Sequence, residues 1–156
     1  MQVAPQGERV TRDYVVTVFV VQQGRVAMLV DELSGAAAPP SGHIRTEELP
    51  GQAAVRVVLA QTGMPVELIA DPQPDWQPSL LPRPQGLMLE QVTSSHEHVC
   101  LVYFARPAAG FRPRSSHEQP HLRWFDQPTL GKLSMSQQAL GWALTAIAAR
   151  SAEEQA

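Results

Sequence analysis

Cysteine is almost missing from this chain, with Cys100 the single example in 156 residues. One thiol excludes an internal disulfide framework and a thiolate-rich metal site built within one chain. Its place in the apolar run VCLVYFA marks it as a buried, reduced cysteine. Charge is scarce too, at 17% of residues. A net charge of −3 and a pI near 5.9 leave no broad basic footprint for nucleic acid or anionic lipid. Small anionic ligands stay open, because they need only a local cluster of donors. No apolar run approaches a membrane span, and MQVAPQGERVTRDY lacks the apolar core of a secretory signal. A soluble cytoplasmic protein with neither a nucleic-acid nor a membrane partner is the expectation.

Apolar residues make up 44% of the chain, enough for one domain with a proper core. Residues 1–13 are polar and expected to be loose, residues 14–150 form the domain, and 151–156 form a flexible end. YVVTVFVV (Tyr14–Val21) and RVAMLV (Arg25–Val30) flank a short Gly-containing turn and predict a hairpin. Ser34–Gly42 is loop by its Pro, Gly and Ser content. A helix follows, with Pro50 in its first turn and Gly63 as its stop. Ala54, Val55, Val58 and Leu59 make its core stripe.

VELIA (Val66–Ala70), LMLEQV, VCLVYFA and LRWF predict further strands. The proline-rich stretch Asp71–Gly86 between the first two is an extended loop. DQPTLGKL predicts a short capped helical turn. Ser136–Arg150 predicts an amphipathic helix with Ala139, Leu140, Ala143, Leu144, Ile147 and Ala148 on one stripe. Five or six strands around a central helix, closed by a C-terminal helix, make a single α/β layered domain.

The segment GHIRTEELPGQAAVRVVLAQTGM (Gly42–Met64) carries a specific spacing. Gly42, Glu48, Arg56, Val58, Gly63 and Met64 fall on the frame G-x5-E-x7-R-E-U-x-E-E-x-G-U, where U is aliphatic. The approach PPSGHI, the run ELPGQAAVR and the downstream HEHVCLVYFARP and LRWFD agree with it. In these features the chain resembles the Nudix hydrolases over roughly residues 14–150. The resemblance implies an α/β/α sandwich with a mixed β-sheet, a Nudix loop–helix–loop and a C-terminal helix. It also implies a diphosphate hydrolase that binds one or more Mg²⁺ ions through box carboxylates.

This chain departs from the pattern where the chemistry lies. The box glutamates are replaced by Val57, Ala60 and Gln61, at spacings that share one helix face. A hard cation needs charged oxygen ligands, and that face offers a valine, an alanine and one neutral amide. Gly42 and Gly63 suit turns without any chemistry, and Arg56 suits a charge-assisted hydrogen bond to Glu48 or a loop carbonyl. Gly42, Glu48, Arg56 and His98 are put forward as ligand contacts, with no catalytic residue, no metal ligand and no cofactor assigned. Mg²⁺ or Mn²⁺ enters only if relocated carboxylates rebuild a site.

The donors for such a site would be Glu47, Glu48, Glu90 and Glu118, each more simply a solvated surface acid. His96 and His98 sit at i and i+2 on one strand face, a spacing two metal ligands could use. No third ligand follows from spacing, so a surface role is preferred for the pair. His43 and Arg45 could meet a phosphate or lie on a wet rim. Trp76 could stack on a base, but anchoring its own loop is preferred. Trp124, Phe125 and Trp142 belong to the core by pattern.

Three functions compete. The first is a Nudix-fold protein inactive as a Mg²⁺-dependent hydrolase that binds a nucleotide or nucleoside-diphosphate-type ligand. The second is an active pyrophosphohydrolase with relocated carboxylates. The third is a structural or dimerisation module, with a homodimer left open. The first is favoured, because losing metal-anchored charge costs orders of magnitude in rate.

Overall fold

A computed structural model of the chain describes residues 7, 9–72, 74–77, 79–112 and 121–155. Its elements run β1 (Thr11–Gln22), β2 (Arg25–Val30), β3 (Ala37–Ala38), β4 (Ser41–His43), α1 (Pro50–Thr62), β5 (Val66–Leu68), β6 (Gly86–Thr93), β7 (His96–Pro107), β8 (Leu122–Asp126), α2 (Gln127–Leu130) and α3 (Gln137–Gln155). No helix among the described residues is long and apolar enough to cross a membrane.

β1 and β7 form the spine. They pair in parallel without interruption from Thr11↔His96 to Val20↔Ala105. β2, β4, β5 and β6 add antiparallel to one or other of these two strands, and β3 and β8 add to β2. Side chains on a strand alternate between the two faces of the sheet, so each face has its own layer. Val16, Val18 and Val20 of β1 and Tyr103 and Ala105 of β7 pack with α1 residues Ala53, Ala54, Val57 and Val58. Phe19, Val21, Val102 and Phe104 pack on the other face with α3 residues Ala143, Ala146 and Ile147. The expected α/β/α sandwich with a mixed sheet is present.

Several expectations are corrected at the level of single elements. Among the described residues there are eight strands rather than five or six. β3 and β4 arise inside the expected loop Ser34–Gly42, where Leu29 and Val30 pair with Ala37–Ala38 and β1 pairs with Ser41–His43. β1 starts at Thr11, because its polar start, Thr11–Asp13, pairs with His96–His98. On α1 the buried residues are Ala53, Ala54, Val57, Val58 and Thr62, whereas Leu59 is exposed. On α3 the buried residues are Ala143, Ala146 and Ile147, and Ala148 faces outward. Trp76 is 80% exposed and so does not anchor its loop. Trp124, Phe125 and Trp142 pack at the edges of the two cores.

The ends of α1 follow their local chemistry. Pro50 occupies the first turn, the Gln52 side chain accepts from the Leu49 N–H at 2.9 Å, and Gly63 closes the helix at φ 71°. Asp126 caps α2 by accepting from the Thr129 N–H at 3.1 Å.

Gly42 has a steric reason to be glycine. A Cβ there would lie 2.9 Å from Cγ2 of Val57. Val57 is buried and β-branched, so it has little rotamer freedom with which to yield. Gly42→Ala is expected to cost about 1–3 kcal/mol in chemical denaturation. In a Val57→Ala background most of that cost should vanish, because the opposing methyl is gone. An equal cost in both backgrounds would show that the Gly42–Val57 approach is not the cause.

Candidate functional site

The loop from β4 into α1 is held by one ion pair. Arg56 Nε lies 2.9 Å from Glu48 Oε2 and 3.2 Å from Oε1, and its Nη2 donates to the same carboxylate. That Nη2 also donates to the His43 carbonyl at 2.9 Å. Glu48 accepts in addition from the Arg45 N–H at 2.9 Å. These donors stabilise the carboxylate, the Arg56 guanidinium most of all, and hold its pKa at about 2 against an ordinary 4.5. The same pairing raises the pKa of Arg56. Arg56 thus orients Glu48 and a loop carbonyl together, both of the partners expected for it.

The three replaced positions do not share one environment. Val57 is 3% exposed and lies in the core against Gly42. Ala60 and Gln61 are exposed. The expectation of a single open face across the three is corrected, because the residue at the arginine's flank has turned inward to fill the core. Gln61 has a structural duty instead of a free oxygen. Its Oε1 accepts from Ser41 N–H at 3.2 Å and its Nε2 donates to Ser41 O at 2.7 Å. Both amide groups are spent on the edge of β4.

Beside α1, between the helix and the proline-rich stretch, lies a cleft of about 1110 Å³. Val55, Leu68, Leu81, Pro82, Leu101 and Tyr103 are among its lining residues. Polar groups at its wall are few. They include Gln52, Arg56 and the exposed pair Arg83–Asp71. Of the four residues put forward as ligand contacts, Arg56 lines this cleft. Glu48 is reached through Arg56, and Gly42 is a packing position.

His98 lies on the opposite face of the sheet. Leu101 and Tyr103 of β7 line the cleft, so by alternation His96, His98 and Cys100 face the α3 side. Glu90 pairs across from His98 and accepts from Cys100 Sγ at 3.5 Å, which puts it on that side as well. Burial, followed by the nearby Glu90 carboxylate, pushes the Cys100 thiol up to about 11, so it stays a neutral thiol. Glu90 therefore does not converge with Glu48 on the box. Glu47 is exposed at the loop surface, and Glu118 lies outside the described residues.

The fold gathers one group that spacing alone could not. His43 from β4 and Asp13 from β1 join His98, and their ligand atoms all lie within 4.8 Å of one another. Asp13 belongs to a segment expected to be loose. It acquires a partner only through the parallel β1–β7 register, for which the polar run TRD carries no local signal.

No protein-family model matches the chain, and no curated protein does. Solved structures do match. The chain is similar to a Nudix-family hydrolase from Clostridium perfringens at 25% identity and a TM-score of 0.73, over 88% of this chain and 97% of that one. It is similar to the Ap4A hydrolase of C. elegans at 14% identity and a TM-score of 0.60, over 90% and 97% of the two chains. A Nudix hydrolase from Nitrosomonas europaea matches at 14% identity and a TM-score of 0.59, over 84% and 85%. The chain has the Nudix fold.

Proposed function

We propose that this Nudix-fold protein does not hydrolyse diphosphates through Mg²⁺ on its box helix. It serves instead as a binding module for a nucleotide or nucleoside-diphosphate-type ligand. One observation carries the reading: no carboxylate is offered by the helix face that would hold the metal. Val57 is sealed in the core, Ala60 has no ligand atom, and Gln61 is committed to Ser41. Glu48 is the box acid that remains, and Arg56 occupies it from two nitrogens. A hard cation would have to break that pair before gaining a single ligand.

The hydrolase reading with relocated acids has less support. Glu90 sits across the sheet from α1, and Glu47 alone cannot assemble a cation site. The family fold favours a phosphate-bearing ligand, and the cleft beside α1 is large enough for one. Its apolar walls suit a base or another flat group, while the Arg83–Asp71 pair stands at the wall.

Calorimetric titration of ADP, a dinucleotide and a nucleotide sugar tests this, once in EDTA and once in Mg²⁺. Saturable binding of at least one of them, with an affinity indifferent to the metal, is expected. Binding that requires Mg²⁺, or none across the panel, would refute the binding-module reading.

A further inference from the structure

The geometry points to a binding site for a zinc-class divalent cation formed by Asp13, His43 and His98, on the sheet face opposite the cleft. These residues come from three strands, β1, β4 and β7, and the fold alone brings them together. β1 and β7 place Asp13 directly beside His98, and β1 and β4 place His43 beside Val15, two residues along on the same face. His43 Nε2 lies 3.2 Å from Asp13 Oδ2. The rings of His43 and His98 meet edge to face at 5.3 Å.

These separations suit a small cation. Zinc bonds to nitrogen and oxygen of about 2.0–2.1 Å set the edge of a tetrahedron at roughly 3.3–3.4 Å. The His43–Asp13 distance is already close to that edge. The remaining ligand atoms lie within a span that rotation about χ1 and χ2 can close. Two imidazoles and one carboxylate select a borderline first-row dication over Mg²⁺, which prefers an all-oxygen shell. Three protein ligands also leave a fourth position open. The partial exposure of Asp13 and His43 gives an ion a path from solvent.

A fourth residue completes the arrangement. His96 Nε2 lies 3.2 Å from Asp13 Oδ2, and its Nδ1 is 2.8 Å from the Thr11 hydroxyl. With the Thr11 O–H donating to Nδ1 at 2.8 Å in preference to the Ser95 carbonyl at 3.3 Å, the neutral ring carries its proton on Nε2 and donates it to Asp13. His96 is thus a positioning residue that orients the carboxylate, as outer-shell partners of metal ligands do. On the other side, the His43 carbonyl accepts from Arg56, so the strand bearing this ligand is fixed by the box frame. None of this depends on the cleft or its ligand.

Titration of the chelator-treated protein with Zn²⁺ tests the site, with heat and melting temperature as readouts. One Zn²⁺ per chain is expected, undisturbed by excess Mg²⁺. His43→Ala and His98→Ala should each weaken binding at least tenfold, on the order of the effects metal sites show. His121→Ala, outside the cluster, should bind as the wild type does. His96→Ala should weaken binding several-fold, and His96→Gln, which keeps an N–H donor, should recover most of it. The melting temperature without metal should be nearly the same for all variants, because a fold defect would lower it. Absence of saturable Zn²⁺ binding would overturn the site, as would binding that neither His43→Ala nor His98→Ala alters. A His96→Gln variant no better than His96→Ala would overturn the positioning role.

Discussion

Val57→Glu is expected to cost about 3–5 kcal/mol, whereas Ala60→Glu and Gln61→Glu together cost about 1–2 kcal/mol. The asymmetry follows from where the three residues sit. Val57 is 3% exposed among apolar neighbours, so a carboxylate there must lose its water without gaining a partner. Ala60 is exposed and accepts a longer side chain without a clash to relieve. Gln61→Glu loses the donor to Ser41 O but keeps the acceptor for Ser41 N–H, a partial loss at an exposed edge. Urea unfolding of the three variants measures the difference. A buried glutamate is also cheaper when protonated, so the Val57→Glu deficit should narrow as pH falls from neutrality toward the ordinary glutamate value of about 4.3 and change little below it. A Val57→Glu protein as stable as the wild type would mean that this position opens to solvent and that the helix face can be rebuilt as one unit.

Arg56→Ala is expected to lower the melting temperature by roughly 5–10 °C at neutral pH. Glu48 would lose its bidentate partner, and the His43 carbonyl would lose its donor. The pH dependence identifies the cause. Glu48 titrates at about 2 in the folded protein against an ordinary 4.5, so folding favours its ionised form. The stability this gives is fully present above about pH 4.5 and is lost as pH falls through about 2. Wild type and Arg56→Ala should therefore converge on acidification across that window. Parallel curves from pH 6 down to pH 2 would show that Arg56 stabilises through packing rather than through Glu48.

Much of the loop–helix–loop was legible because its rules are local. Pro50 at the first turn, Gly63 at positive φ and the Glu48–Arg56 spacing depend on neighbours a few residues apart. The two longest helices and the main strands followed from period and composition for the same reason. What escaped was set by distant partners. β3 and β4 are too short to leave a pattern in a Pro- and Gly-rich stretch, and they exist because β1 and β2 offer open edges. Asp13 became part of a cluster through parallel pairing with a strand that begins more than eighty residues later, a register no local pattern encodes.

Position 57 shows a different limit. Spacing put it on the same helix face as 60 and 61, which is geometrically sound within the helix. The packing of that helix against β4 decided otherwise, because Gly42 leaves room for a side chain at 57 and valine fills it. Similarly, His98 is correctly placed on a strand by the sequence, but only the order of strands and layers reveals which face it takes. The cleft and the histidine cluster thus lie on opposite sides of one sheet, although their residues are interleaved along the chain.

Release of phosphate and AMP-type products is the decisive measurement for the loss of box chemistry. Nucleoside triphosphates, dinucleotides and nucleotide sugars would be incubated with the wild type and with Ala60→Glu/Gln61→Glu, in Mg²⁺ and in Mn²⁺. The wild type is predicted to release nothing above the uncatalysed background, since α1 offers no free carboxylate to either ion. Metal-dependent turnover by the wild type at an ordinary enzymatic rate, roughly 1 s⁻¹ or more, would contradict the central claim and show that acids from elsewhere rebuild the site.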